Sequence, residues 1–66
     1  MRNTIKIERA KKNITQAELA MILDVSRLTI HSIEAGKFNP SVLIVLKMAR
    51  YFNIAVEELF ILDETD

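Results

Sequence analysis

The sequence predicts an all-α fold, a compact domain of five short helices. Three observations lead there. No alternating strand pattern of useful length appears anywhere in the 66 residues. Turn and cap signals at Asn13, Thr15, Asp24-Val25-Ser26, Gly36, Pro40-Ser41 and Asn53 cut the chain into helix-sized pieces. Within those pieces the hydrophobic residues, 50% of the total, recur at helical spacing.

The first helix is expected from about Thr4 to Lys12, with Asn3 or Thr4 as its cap. Ile7, Ala10 and Ile14 lie at helical spacing, and Ile5 is a further core candidate. Thr15 followed three residues later by Glu18 is a capping box, in which hydroxyl and carboxylate satisfy the orphaned amides of a helix start. The second helix should span about Gln16–Leu23. Ser26 caps a third, about Arg27–Ala35, which stops at Gly36, the only glycine. "KFNPS" is a loop announcing a fourth helix through about Phe52, with Val42, Val45, Met48, Ala49 and Phe52 inward. A last short helix covers about Val56–Phe60. Where helix ends usually want glycine this chain has Asn13, Asp24 and Asn53, whose short polar side chains make a positive φ tolerable.

Residues 1–66 are read as one domain, with a short tail at about 61–66. A chain this small needs tight helix packing or self-association, because the absence of cysteine excludes disulfides and thiolate metal sites. One histidine cannot build a metal site alone. No cysteine nucleophile, glycine-rich phosphate loop or recognisable triad is present, so neither an enzyme nor a cofactor is expected. "MRNTIKIERAKK" has no apolar stretch of signal-peptide length, and the run Val42–Leu46 is far too short to span a bilayer. A cytoplasmic protein with no membrane partner is expected.

Net charge is zero, but its distribution is uneven. Residues 1–50 carry all nine Lys/Arg and four acids, a surplus of five positive charges; residues 51–66 carry five acids and no Lys/Arg. Such polarity lets a neutral chain attract a polyanion at one end.

"AMILDVSRLTI", residues 20–30, interrupts a helical pattern for only three residues. Leu19, Ala20 and Leu23 form one face of the second helix; Ile30 and Ile33 form the inner face of the third. A three-residue turn forces two helices close together, and the small Ala20 permits that approach. These are the requirements of a helix-turn-helix unit that braces its second helix and presents it outward. An ordinary helical hairpin in a small bundle satisfies the same spacing.

The stretch "ITQAELAMILDVSRLTIHSIEAGKFNPS", residues 14–41, resembles the Cro/repressor-like (XRE-type) helix-turn-helix family, and "LKMARYFNIAVEELF" is similar to its closing helices. The resemblance implies a compact five-helix repressor-like domain that binds double-stranded operator DNA, mostly as a dimer, with the third helix in the major groove. It implies that Gln16 lies against the DNA backbone. Ser26, Arg27, Leu28 and Thr29, in the first turn of the third helix, and His31 and Ser32 beyond them, are the candidate readers. Leu28 departs from the family's frequent glutamine; it cannot pair with adenine but can touch a thymine methyl. Lys37 and Asn39 are candidates to grip phosphate. The family also pairs an arginine of the first helix with a glutamate ending the third, which makes Arg9 and Glu34 a candidate structural ion pair.

Surplus apolar residues suggest a homodimer interface formed by Phe60, Ile61 and Leu62, with Leu43 and Tyr51. The expected function is a sequence-specific transcriptional regulator, a repressor at a roughly palindromic operator. An antitoxin-like regulator with a protein partner, or a helix-turn-helix fold used only for protein interaction, remains open.

Overall fold

In the computed structural model, which describes Met1–Asp66, the chain runs β1 (Arg2–Asn3), α1 (Ile5–Lys12), α2 (Gln16–Leu23), α3 (Arg27–Glu34), α4 (Val42–Phe52), α5 (Val56–Leu59) and β2 (Phe60–Ile61). Helices dominate, and the strands form one antiparallel pairing of Arg2 with Ile61 and Asn3 with Phe60.

The first four helices stop by one device. Asn13, Asp24 and Asn53 take φ of 56°, 59° and 57°, and Gly36 takes 74°. After each helix two amides turn back onto its last carbonyls. Asp24 N donates to Met21 O at 3.2 Å and Val25 N to Ala20 O at 2.9 Å; Asn13/Ile14, Gly36/Lys37 and Asn53/Ile54 repeat the pattern. This is the Schellman arrangement. In three of the four cases the next residue is apolar (Ile14, Val25, Ile54) and packs on the core, so the stop signal also anchors the turn. Helix starts are equally explicit. Thr15 and Glu18 form a reciprocal capping box, Ser26 accepts from Thr29 N and Ser41 accepts from Ile44 N.

The core joins Ile5 of α1, Leu19, Ala20 and Leu23 of α2, Ile30 and Ile33 of α3, Met48 and Phe52 of α4, Leu59 of α5 and Phe60. The most extensive helix packing is between α2 and α3, and Ala20 is buried there. No helix is long and apolar enough to cross a membrane.

Several expectations need correction. α1 begins at Ile5, one residue later than expected, with Thr4 at the N-cap position and Asn3 Oδ1 accepting from Ile5 N at 3.2 Å. Ile7 is 57% exposed and Ala10 is exposed too, since Ile5 and Arg9, four residues apart, occupy the inward face. Val42 is 74% exposed, and Ile44 joins Val45 in packing on the core instead.

The chain end differs most. α5 stops at Leu59 and Phe60 becomes extended, with Thr4 N donating to Leu59 O at 3.0 Å. Phe60, expected in an intermolecular interface, is only 8% exposed and packs in its own core. The acidic tail faces the other terminus. Asp63 meets Arg2 Nε at 2.7 Å, and Asp63 and Asp66 lie 3.2 and 3.0 Å from the α-amine of Met1. The tail carboxylates therefore pair with Arg2 and the α-amine where the chain ends meet.

Candidate nucleic-acid interface

The three-residue turn Asp24-Val25-Ser26 breaks the rod between α2 and α3, and the left-handed Asp24 sets its direction. The far side of α3 stays open. Ser26, Arg27, Leu28 and His31 are exposed and Thr29 and Ser32 half-buried, while Ile30 and Ile33 are buried. On the Arg27–Ser32 edge, Arg27, Leu28 and His31 therefore stay open to solvent. With its side chains an α-helix is about 10–12 Å across, which fits a major groove about 12 Å wide.

A charged network holds this edge from behind. Arg9 Nε donates to Glu34 Oε2 at 2.6 Å and Arg9 Nη2 to Glu34 Oε1 at 3.1 Å, while Nη1 donates to Ile14 O at 3.0 Å. Hydrogen bonding to Glu34 raises the Arg9 pKa above its ordinary value against a smaller opposing effect of desolvation. Gln16 extends the network outward. Its Nε2 donates to Glu34 Oε1 at 3.3 Å, and its Oε1 accepts from Arg27 Nη1 at 3.4 Å. One amide thus links the packed ion pair to the exposed guanidinium at the start of α3.

Two clefts divide the surface residues. The first, about 330 Å³, is lined by Ser26, Leu28, Thr29, Ser32, Lys37 and Phe38. The second, about 260 Å³, is lined by Lys6, Arg9, Gln16, His31, Glu34 and Ala35. The structure brings together Ser26, Leu28, Thr29, Ser32 and Lys37 in one group and Gln16 with His31 in the other. Arg27 touches Gln16 between them, and Asn39 lies exposed in the loop outside both linings. Sequence reasoning passed over Lys6 and Phe38. Phe38 had a visible signal, a large aromatic in an otherwise polar loop two residues past the helix-ending glycine.

Available positive charge is uneven. Arg2, Arg9 and Lys11 have carboxylates within 4.0 Å, whereas Lys6, Arg27 and Lys37 have none. The caps consume the amides of Glu18 and Thr29, leaving the earlier amides of α2 and α3 directed outward at positive helix ends. No three His, Cys, Asp or Glu side chains converge at metal-binding distance.

Residues 5–59 match the sequence profile of the helix-turn-helix family. The chain belongs to that family. Relatives of this helix-turn-helix protein include an uncharacterized HTH-type transcriptional regulator of Archaeoglobus fulgidus, 50% identical over 66 residues, spanning 100% of this chain and 93% of the relative. Another, from Methanocaldococcus jannaschii, is 42% identical over 66 residues and spans 100% of both. A solved structure, the restriction-modification controller protein C.AhdI from Aeromonas hydrophila, superposes with a TM-score of 0.75 at 30% identity, covering 85% of each chain. The helix-turn-helix fold thus extends through α5.

Proposed function

We propose that the chain is a sequence-specific DNA-binding transcriptional regulator, a repressor that acts without catalysis. α3 enters the major groove, and α2 lies across the sugar-phosphate backbone. One observation carries this reading. The Ser26–Ser32 edge of a rigidly capped helix is open to solvent and flanked by Arg27 and Lys37, neither held by a carboxylate. The names of the relatives, all HTH-type transcriptional regulators, support it.

In this reading Gln16, Lys37 and Asn39 contact phosphate, and Arg27, Leu28, His31 and Ser32 approach base edges. Ser26 and Thr29 set the start of the reading helix. Arg9 and Glu34 hold its far end. A domain whose longest dimension is 32 Å presents a single α3, so one chain addresses one half-site. A two-fold homodimer presents two such helices about 34–36 Å apart and matches a roughly palindromic operator. Leu43 and Leu62 are the exposed members of the expected interface. Val42 and Leu46 extend that apolar surface beside Leu43 on α4.

Titration of duplexes carrying the protein's own promoter, at several salt concentrations, tests the reading. Binding should weaken steeply with salt as bound cations displace condensed counterions. The exposed apolar residues Met21, Val42, Leu43 and Leu46 favour a second reading, a protein-interaction module. Absent or salt-independent DNA binding would support that alternative. Analytical ultracentrifugation of the free chain tests the dimer.

A further inference from the structure

We propose that Leu28 and Phe38 form a two-walled apolar cleft that reads the 5-methyl groups of thymine in the major groove. The inference rests on the DNA-binding reading above and adds the chemical feature that the site selects.

The hydroxyls of Ser26 and Thr29 are engaged with each other at the start of α3. Ser26 Oγ accepts from Thr29 N at 3.1 Å and lies 2.9 Å from Thr29 Oγ1; Arg27 leans on Gln16 at 3.4 Å. Leu28 is left projecting, 68% exposed. Phe38 comes from a different element, the loop that Gly36 turns back beside α3, and is 50% exposed. Both line the cleft of about 330 Å³ as its two apolar members, together with Ser26, Thr29, Ser32 and Lys37.

Neither hydrocarbon wall can donate or accept a hydrogen bond, so it gains nothing from N7, O6, O4 or N6 at a base edge. The apolar feature that natural DNA displays in the major groove is the thymine C5-methyl group. Charge selects DNA over an apolar protein segment as the occupant. Lys37 sits on the cleft and Arg27 beside it, and neither has a carboxylate partner within the chain. A duplex supplies phosphate to Lys37 and a base edge to Arg27 while its groove faces Leu28 and Phe38.

Binding-site selection with the full chain first defines the preferred duplex. Each thymine of a half-site is then replaced by deoxyuridine, which removes the methyl and keeps the pairing, and Kd is measured at fixed salt. Affinity should fall about fourfold for each methyl that the cleft buries. Leu28→Ala should abolish that difference and Phe38→Ala should shrink it, with helicity of both variants checked by circular dichroism. Unchanged Kd for every deoxyuridine duplex, while binding of the selected duplex stays salt-sensitive, would overturn the cleft and leave DNA binding intact. A methyl effect undiminished in both variants would also overturn it. Failure to bind any duplex in a salt-sensitive way would overturn the DNA-binding reading and the cleft together.

Discussion

Arg9 and Glu34 join α1 to the end of α3 through two hydrogen bonds, 2.6 Å from Nε to Oε2 and 3.1 Å from Nη2 to Oε1. Their side chains are 15% and 9% exposed, so water screens the pair little. Arg9→Ala leaves Glu34 with Gln16 as its remaining side-chain partner and frees the carbonyl of Ile14. Urea unfolding should show a loss of about 2–4 kcal/mol. Arg9→Lys should recover only part of it, because an ammonium cannot reproduce the fork. A variant as stable as the parent would mean that the pair contributes no net stabilisation.

Gln16 separates folding from binding. It is half-buried and bonds outward to Arg27 and inward to Glu34 at 3.4 and 3.3 Å. Gln16→Ala should change stability by less than about 1 kcal/mol while weakening DNA binding. Arg27→Ala should do the same, with a loss in binding of about 1–3 kcal/mol if the guanidinium reads guanine. Unfolding of Arg27→Ala, read by circular dichroism, would contradict its placement as an exposed reader.

Asp24 tests the turn. Its φ of 59° is the left-handed conformation that glycine adopts without strain. Its side chain makes no hydrogen bond or ion pair within the chain. Asp24→Gly should therefore be neutral or stabilising by up to about 1 kcal/mol, and Asp24→Ala destabilising by about 1 kcal/mol. A large loss in Asp24→Gly during thermal unfolding would assign the side chain an essential bond.

The terminal closure should depend on pH from both sides. The amine of Met1, and then Arg2, hold Asp63 below its ordinary 3.8; a backbone hydrogen bond from Asp63, and then the same amine, hold Asp66 below 3.8. Hydrogen bonds to Asp66 and then Asp63 raise the amine above its ordinary 8.0. The depressed carboxylates contribute fully above 3.8 and lose their contribution as pH falls through their folded values. The raised amine contributes fully below 8.0 and loses its contribution as pH rises through its folded value. The Tm difference between the parent and an Asp63→Asn, Asp66→Asn double variant should form a plateau between these limits and shrink outside them. The groups lie at the surface, partly open to water, so the difference should be small. A pH-independent difference would refute this account of the tail.

Local chemistry was the legible part of the sequence. Asn13, Asp24 and Asn53 announce left-handed helix ends because few other residues tolerate them, and Thr15 with Glu18 announces a start because the motif is reciprocal. The inward face of α1 was ambiguous. Ile7-Ala10 and Ile5-Arg9 both fit a helical period, and only the resemblance, through the expected partner of Arg9 on α3, 25 residues away, pointed to the second. The strand at Phe60-Ile61 is two residues long and exists only because Arg2 and Asn3 lie beside it. Asn3 is fixed in turn by donating from Nδ2 to Ile33 O at 3.0 Å and Glu34 O at 3.4 Å. No periodicity over so short a stretch could reveal that pairing. The candidate interface divides the same way. α3 and its first turn follow from spacing, whereas the cleft between Leu28 and Phe38 depends on where the loop after Gly36 returns.

Amide chemical shifts of the labelled chain, recorded as the selected duplex is added, test the central claim most directly. Changes should concentrate on Gln16, Arg27–Ser32 and Lys37–Asn39 and leave Phe60–Asp66 nearly unmoved. Changes centred on the tail or α4, with Arg27–Ser32 unaffected, would contradict the assignment of α3 to the major groove.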